Sequence, residues 1–264
     1  MIDLRLGRWQ EALEDVEMCD AVICDPPYSE RTHKGQRSAG VGPSKRNRRP
    51  DTSSVALDLG GCSLPAHHDE MHGSRVKYGS ASKADIEEAI RFWAPRVRRW
   101  FVVFGDHLSA EQWRVALDKS GFYAFHPIVW TKTDAAPRMH CDGPSSQHET
   151  ITIARPRRRL GRAEMRYRPG WYCGPSANKG IAEDEFHIIG QKPIWLMTTL
   201  VAAYSEPGDL VVDPFCGSGT TAIACHRLGR SCITSEMDPA THAMAKARID
   251  RELAQLGLFE GATP

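Results

Sequence analysis

Two periodicities alternate along this chain. Short, nearly continuous apolar runs occur at Ile2–Leu6, at Ala21–Cys24, and within "WFVVFGDH" from Trp100, "HPIVWTK" from His126, "ETITIAR" from Glu149, "GDLVVDPF" from Gly208 and "RSCITSEM" from Arg230. Runs of this length, closed by Gly, Asp or Pro, predict buried strands. The segments between them carry helical spacing. Ser82 reads as the N-cap of a helix with Asp85 as its acidic partner and Ile86, Ala89, Ile90 and Trp93 on one stripe. "SAEQWRVALDKSGF" predicts a helix closed by Gly121, and "KPIWLMTTLVAAYS" an amphipathic helix with Pro193 in its first turn. "CGSGTTAIACHRLG" predicts a glycine turn that opens a helix ending at Gly229, and "DPATHAMAKARIDRELAQL" a final helix. Trp9–Val16 predicts a turn or two of helix. Alternation of this kind predicts an α/β fold with a largely parallel sheet. The 264 residues suffice for one domain with a buried core.

Two stretches break the pattern. Residues 29–79 are rich in Gly, Ser, Pro, Arg and His and read as a long insertion after the Ala21–Cys24 strand. Residues 155–186 are polar, arginine-rich and irregular. The net charge is only +1, so the overall balance names no partner, but both stretches are strongly basic. One is a solvated loop on the plain reading, yet two such blocks on a neutral scaffold suggest a polyanion footprint. The candidate contacts are Arg31, Lys34, Arg37, Lys45 and Arg46 in the first block, and Arg157, Arg158, Arg159 and Arg162 in the second.

The eight cysteines form no CxxC pair, which fits a reducing cytoplasm better than a disulfide framework. Cys62, His67, His68 and His72 cluster, as do His140, Cys141 and His148, but neither spacing matches a standard zinc site, so no metal is expected. No signal peptide or bilayer-spanning run is evident, and no membrane partner is expected.

The chemistry concentrates at two strand ends. The Ala21–Cys24 run ends in Asp25-Pro26-Pro27-Tyr28. A carboxylate there must be paired, hydrated or used. The prolines donate no backbone N–H, so their rigidly held carbonyls are left to accept, and Tyr28 adds a flat aromatic face. The second site is "VVDPFCGSGTT". Gly217 and Gly219 lie between a strand and a helix, Asp213 ends that strand, and Glu236 ends the next one about 20 residues on. An acid at that offset takes ribose hydroxyls in nucleotide-binding α/β folds, so these residues point to a nucleoside cofactor. No G-K-[ST] follows, which excludes a triphosphate loop.

Asp25-Pro26-Pro27-Tyr28 followed much later by Asp213-Pro214-Phe215-Cys216-Gly217-Ser218-Gly219-Thr220-Thr221 resembles the amino-group DNA methyltransferases, and the order, catalytic motif first, resembles their permuted beta class. "HIIGQKPIWLM", "IVWTK" and "HETITIAR" resemble further segments of that family. The resemblance implies a Rossmann-like S-adenosylmethionine-dependent methyltransferase fold in permuted order. It implies duplex DNA as partner, a flipped target base, and a cytoplasmic, nucleoid-associated protein. By it, Asp25, Pro26, Pro27 and Tyr28 are catalytic. Asp213, Phe215, Cys216, Gly217, Gly219 and Thr220 line the methionine end of the cofactor. Lys192 meets its carboxylate, Glu236 takes its ribose, and Met237 packs on its adenine, with His187 held nearby. Residues 155–186 fall where the family places target recognition, and a homodimer is offered by analogy.

Asp25 at the head of the motif leans toward the N6 amine of adenine over the N4 amine of cytosine. An RNA methyltransferase and a non-catalytic DNA-binding module are further alternatives. The absence of a Pro-Cys dipeptide argues against ring-carbon methylation through a cysteine adduct. One departure stands out: the family's first strand usually ends in Gly-Asp, and here Gly7 is followed by Arg8.

Overall fold

The computed structural model describes residues 1–28, 80–135, 144–158, 165–177 and 190–260. Arg31, Lys34, Arg37, Lys45, Arg46, Arg159, Arg162 and His187 lie outside the described residues, as do Cys62, His67, His68, His72, His140 and Cys141. Among the described residues the sheet has nine strands: β1 (Ile2–Leu6), β2 (Cys19–Cys24), β3 (Val97–Gly105), β4 (Phe122–Ala124), β5 (Ile128–Lys132), β6 (His148–Pro156), β7 (Trp171–Gly174), β8 (Leu210–Asp213) and β9 (Ser231–Glu236). Their order across the sheet is β1-β9-β8-β2-β3-β6-β5-β7, with β4 beside β6. From β1 to β3 every pairing is parallel, whereas β6 runs antiparallel to β3, β4 and β5.

Helices cover both faces, and the strands sort their side chains between them with a period of two. In β2, Ala21 and Ile23 face one core while Val22 and Cys24 face the other. In β3, Trp100, Val102 and Phe104 alternate in the same way with Phe101 and Val103. The first core is closed by α4 (Ile194–Tyr204), α5 (Thr220–Arg227) and α6 (Pro239–Glu260), through Leu196, Met197, Leu200, Ile223 and Ile249. The second is closed by α1 (Trp9–Ala12), α2 (Lys83–Trp93) and α3 (Ser109–Lys119), through Trp9, Ile86, Ile90, Trp93, Trp113 and Leu117. The start of α2 is a capping box: Ser82 Oγ accepts from the Asp85 N–H at 3.2 Å, and Asp85 Oδ2 accepts from the Ser82 N–H at 2.8 Å. No helix among the described residues is long and apolar enough to cross a membrane.

Three features depart from the sequence expectations. The helix expected over Trp9–Val16 stops at Ala12. The region read as irregular supplies β7, whose four residues lie beside β5 and alternate exposed and buried. Its arginines are also less available than their number suggests. Arg168 lies over the rings of Trp100 and Tyr204 at 4.5 and 5.6 Å and donates to the Ala203 carbonyl at 2.8 Å. Arg166 donates to the Ala202, Ala203 and Ser205 carbonyls. Both cap the carboxyl end of α4, where the helix dipole favours cations.

Candidate active site

The parallel strands deliver their last residues to one end of the sheet. Gly7 and Arg8 follow β1, Glu236 ends β9, Asp213 ends β8, and Asp25 follows β2. β8 and β2 are adjacent and parallel, with Val211 opposite Ala21 and Val212 opposite Val22. The chain leaves β8 through α5 toward β9, and leaves β2 through α2 toward β3, on opposite faces of the sheet. That reversal opens a crevice between the two strand ends, the usual ligand position in open α/β sheets. A cavity of about 260 Å³ fills it, lined by residues of both motifs: Asp25, Pro26 and Pro27 on one side, Asp213 to Ser218, Thr220, Glu236 and Met237 on the other. The permuted motifs, far apart in the chain, therefore meet in one pocket.

On the glycine-turn side, Gly217 and Gly219 have φ of +52° and +78°. A Cβ on Gly219 would lie 3.0 Å from Ile249 Cδ1, so the turn needs glycine there for conformation and for space. Glu236 is buried, and its carboxylate accepts the N–H of Gly217 at 3.0 Å and of Asp238 at 2.9 Å. A carboxylate has about four acceptor sites, so these backbone contacts leave it able to accept from a ligand hydroxyl. Asp213 accepts the Phe215 N–H at 3.0 Å. Burial pushes its carboxyl up to about 7, against hydrogen bonds from Thr221 and Phe215 that favour the anion. Cys216 is buried, and its backbone N–H donates to the Ser235 carbonyl at 2.9 Å. Thr220 is tied to Ser218 and to Arg248.

The Asp25 side holds an arrangement that the motifs alone do not disclose. Lys192, only 6% exposed, pairs with Asp25 Oδ2 and lies 3.2 Å from Glu149 Oε2. Glu149 Oε1 in turn lies 2.6 Å from Lys132 Nζ, and Tyr28 donates its hydroxyl to Glu149 Oε2 at 2.5 Å. Cations and anions thus alternate through Lys132, Glu149, Lys192 and Asp25. Lys192 also sits 5.2 Å from the centre of the Tyr28 ring. Asp25 Oδ1 is buried and has no hydrogen-bond partner. Burial and the neighbouring Glu149 push the Asp25 carboxyl up, and Lys192 opposes them. Burial would raise Glu149 too, but the ammonium groups of Lys192 and Lys132 prevail and hold it down at about 2.

Glu149 and Lys132 were not among the candidate site residues. β6 runs antiparallel to β3, so its first residues come to the same end of the sheet as the last residues of β3, with Thr150 opposite Gly105. Lys132 closes β5, paired antiparallel to β6. "IVWTK" and "HETITIAR" carried the signal, but only the sheet order shows that their charged ends meet Asp25. Lys192, expected on the cofactor, lines the pocket and pairs there with Asp25. Arg157 and Arg158, expected on DNA, follow the far end of β6. At about 3.3 Å per residue, the run from Glu149 to Arg157 separates them from the crevice by roughly 25 Å. Arg157 there pairs with Asp118.

The chain matches the DNA methylase family model over residues 19–247. It is a DNA methylase of that family. It is 25% identical over 248 residues to the Type II methyltransferase M2.DpnII of Streptococcus pneumoniae, covering 89% of this chain and 84% of that one. Among solved structures it resembles the M1.HpyAVI–SAM complex with a TM-score of 0.61 at 21% identity, over 94% of this chain and 99% of that one. It also resembles the PvuII cytosine-N4-specific DNA methyltransferase with a TM-score of 0.59 at 15% identity, over 93% and 85%. This DNA methylase uses S-adenosylmethionine and acts on an exocyclic amine, adenine N6 or cytosine N4, in DNA.

The crevice fits that cofactor. Asp25, Asp213 and Glu236, the carboxylates at its strand ends, line it and complement a cationic sulfonium and a ribose. Trp9, Ile86, Trp113 and Phe215 supply apolar walls. Met237 stands half-exposed at the rim beside Glu236. Arg8 lines the pocket where the family usually has an acid, and Gln10 and Asp85 line it with Arg8.

Proposed function

We propose that this methylase transfers the methyl group to the N6 amine of a flipped adenine in duplex DNA. The observation that carries the reading is the bare, buried Asp25 Oδ1 at the head of the motif, with Asp25 and Pro26 lining the same pocket. S-adenosylmethionine, when bound, supplies an electrophilic methyl group on sulfur. Asp213, Gly217, Gly219 and Thr220 would hold its methionine end, and Glu236 its ribose.

The exocyclic amine is a weak nucleophile because its lone pair is delocalised into the ring. Asp25 Oδ1 accepts one amine hydrogen and the Pro26 carbonyl the other. Both acceptors are fixed beforehand, one by Lys192 and one by the proline ring, so they favour a pyramidal nitrogen without reorganising during the reaction. The raised basicity of Asp25 suits it to take the proton that the methylated amine releases. The ring of Tyr28, held through its hydroxyl by Glu149, stacks on the extruded base. Such stacking contributes about 1–3 kcal/mol and helps offset the cost of flipping.

Cytosine presents the same amine-beside-ring-nitrogen edge, so N4-methylcytosine is the competing product. Nucleoside mass spectrometry after incubation with S-adenosylmethionine and unmethylated duplex DNA of mixed sequence separates the two. N6-methyladenine supports the reading; N4-methylcytosine alone overturns the choice of base and keeps the chemistry. We further propose that residues 29–79, which leave from Tyr28 at the catalytic lip, carry the DNA contacts nearest the flipped base.

A further inference from the structure

The alternating charges beneath the catalytic motif go beyond what holding a substrate amine requires. Four ionisable side chains, from β5, β6, the segment after β2 and the loop before α4, meet in a largely buried space, with Lys192 6% exposed and Glu149 14% exposed. Glu149 is the junction. Its Oε2 takes both the Tyr28 hydroxyl, at 2.5 Å, and the Lys192 ammonium, at 3.2 Å, while Oε1 is anchored by Lys132 at 2.6 Å. Lys192 then reaches Asp25 Oδ2 and leaves Oδ1 without a partner. A single carboxylate at the start of β6 therefore touches Tyr28 directly and reaches Asp25 through Lys192.

We infer that Glu149 is a positioning residue for methyl transfer: it fixes the Tyr28 ring through the hydroxyl and, through Lys192, the orientation and charge of Asp25. This rests on the reading that Asp25 and Tyr28 hold the target base. Other groups facing Asp25 are Lys192 from the loop before α4, Tyr28 on its own segment, Asp213 from β8 and the buried thiol of Cys24. Burial holds the Cys24 thiol neutral, so Glu149, Lys192 and Asp213 decide the charge balance around Asp25.

Glu149→Gln keeps an oxygen for Tyr28 and removes the charge. Lys192 then acts on Asp25 alone and the repulsion from Glu149 is gone, so Asp25 should ionise at lower pH. The test is a carbon-13 carboxyl NMR titration of the protein, with the Asp25 resonance assigned by its loss in Asp25→Asn. A midpoint lower in Glu149→Gln than in wild type is expected; an unchanged or higher midpoint overturns the inference. In steady-state methylation of duplex DNA, the acid limb of kcat should move the same way. With the base less well held, kcat should fall by about 10- to 100-fold at unchanged cofactor affinity. Glu149→Ala, which also frees Tyr28, should lose more, and Glu149→Asp should recover part. A Glu149→Gln protein with wild-type kcat and an unmoved acid limb contradicts the inference while leaving the proposed function intact. A wild-type protein that methylates no DNA contradicts the proposed function, and the NMR midpoint still reads Glu149. Should Glu149→Gln not fold, the charge-balanced Lys132→Met/Glu149→Gln pair gives the same titration.

Discussion

Lys192→Met separates the observed ion pair from the expected cofactor contact. Burial alone would lower the Lys192 pKa, but Asp25 and Glu149 outweigh it and hold it raised. Its contribution to stability is therefore complete below its ordinary value of 10.5 and disappears only as pH rises through the raised value. The Met variant leaves Asp25 buried and unpaired. Breaking such a pair by removing one partner costs about 3–5 kcal/mol. Asp25 keeps 28% of its side chain exposed, so the low end applies, about 3 kcal/mol. For a chain of this size that lowers Tm by roughly 6–12 °C.

The deficit depends on pH with a definite sign. Without its cation, Asp25 is pushed further up, so the penalty is greatest near pH 8 and shrinks toward pH 5 as Asp25 takes up a proton. Lys192→Met/Asp25→Asn should recover most of the loss at pH 8. The assays are thermal melting at both pH values and a calorimetric titration with S-adenosylmethionine, in which the variant should bind within a few-fold of wild type. A Lys192→Met protein with unchanged Tm and cofactor binding weakened tenfold or more would refute this reasoning and return Lys192 to the cofactor.

Two further outcomes follow from the geometry. Gly219→Ala forces alanine into a left-handed conformation, at a cost of about 1–2 kcal/mol, and sets its Cβ against Ile249. Urea denaturation should show the loss, and adding Ile249→Val, which removes the nearest carbon, should cost less than the sum of the single changes; strict additivity contradicts the contact. Arg168→Ala should reduce stability by about 2 kcal/mol through its lost ring contacts and hydrogen bond, while the salt dependence of DNA binding stays as in wild type. A flatter salt slope would make Arg168 a phosphate contact.

Much of the fold is legible in the sequence because the strands are short, apolar and closed by polar stops. Both faces of β2 and β3 are buried, so these strands read as continuous runs. β7 escapes such reading because Trp171 to Gly174 alternate exposed and buried between loop-like flanks, and β5 completes the strand from elsewhere in the chain. The two motifs are legible as motifs. Their union in one crevice follows from the parallel pairing of β2 with β8, which only the permuted order hints at. The roles of Glu149 and Lys132 depend on an antiparallel register that brings a strand's first residue and another's last to one point, and no local pattern encodes that. The roles of Arg166 and Arg168 are hidden for a related reason: they close a helix end that lies elsewhere in the chain.

The central claim is that Asp25 activates an exocyclic amine of DNA toward a methyl group bound in the adjoining glycine turn. The most direct measurement is transfer of a labelled methyl group from S-adenosylmethionine to unmethylated duplex DNA by wild type and by Asp25→Asn, with cofactor affinity determined for both. Transfer by wild type, its loss by a factor of about 100 or more in Asp25→Asn, and cofactor affinity within a few-fold are the predicted result. Equal transfer by the two proteins would contradict the account.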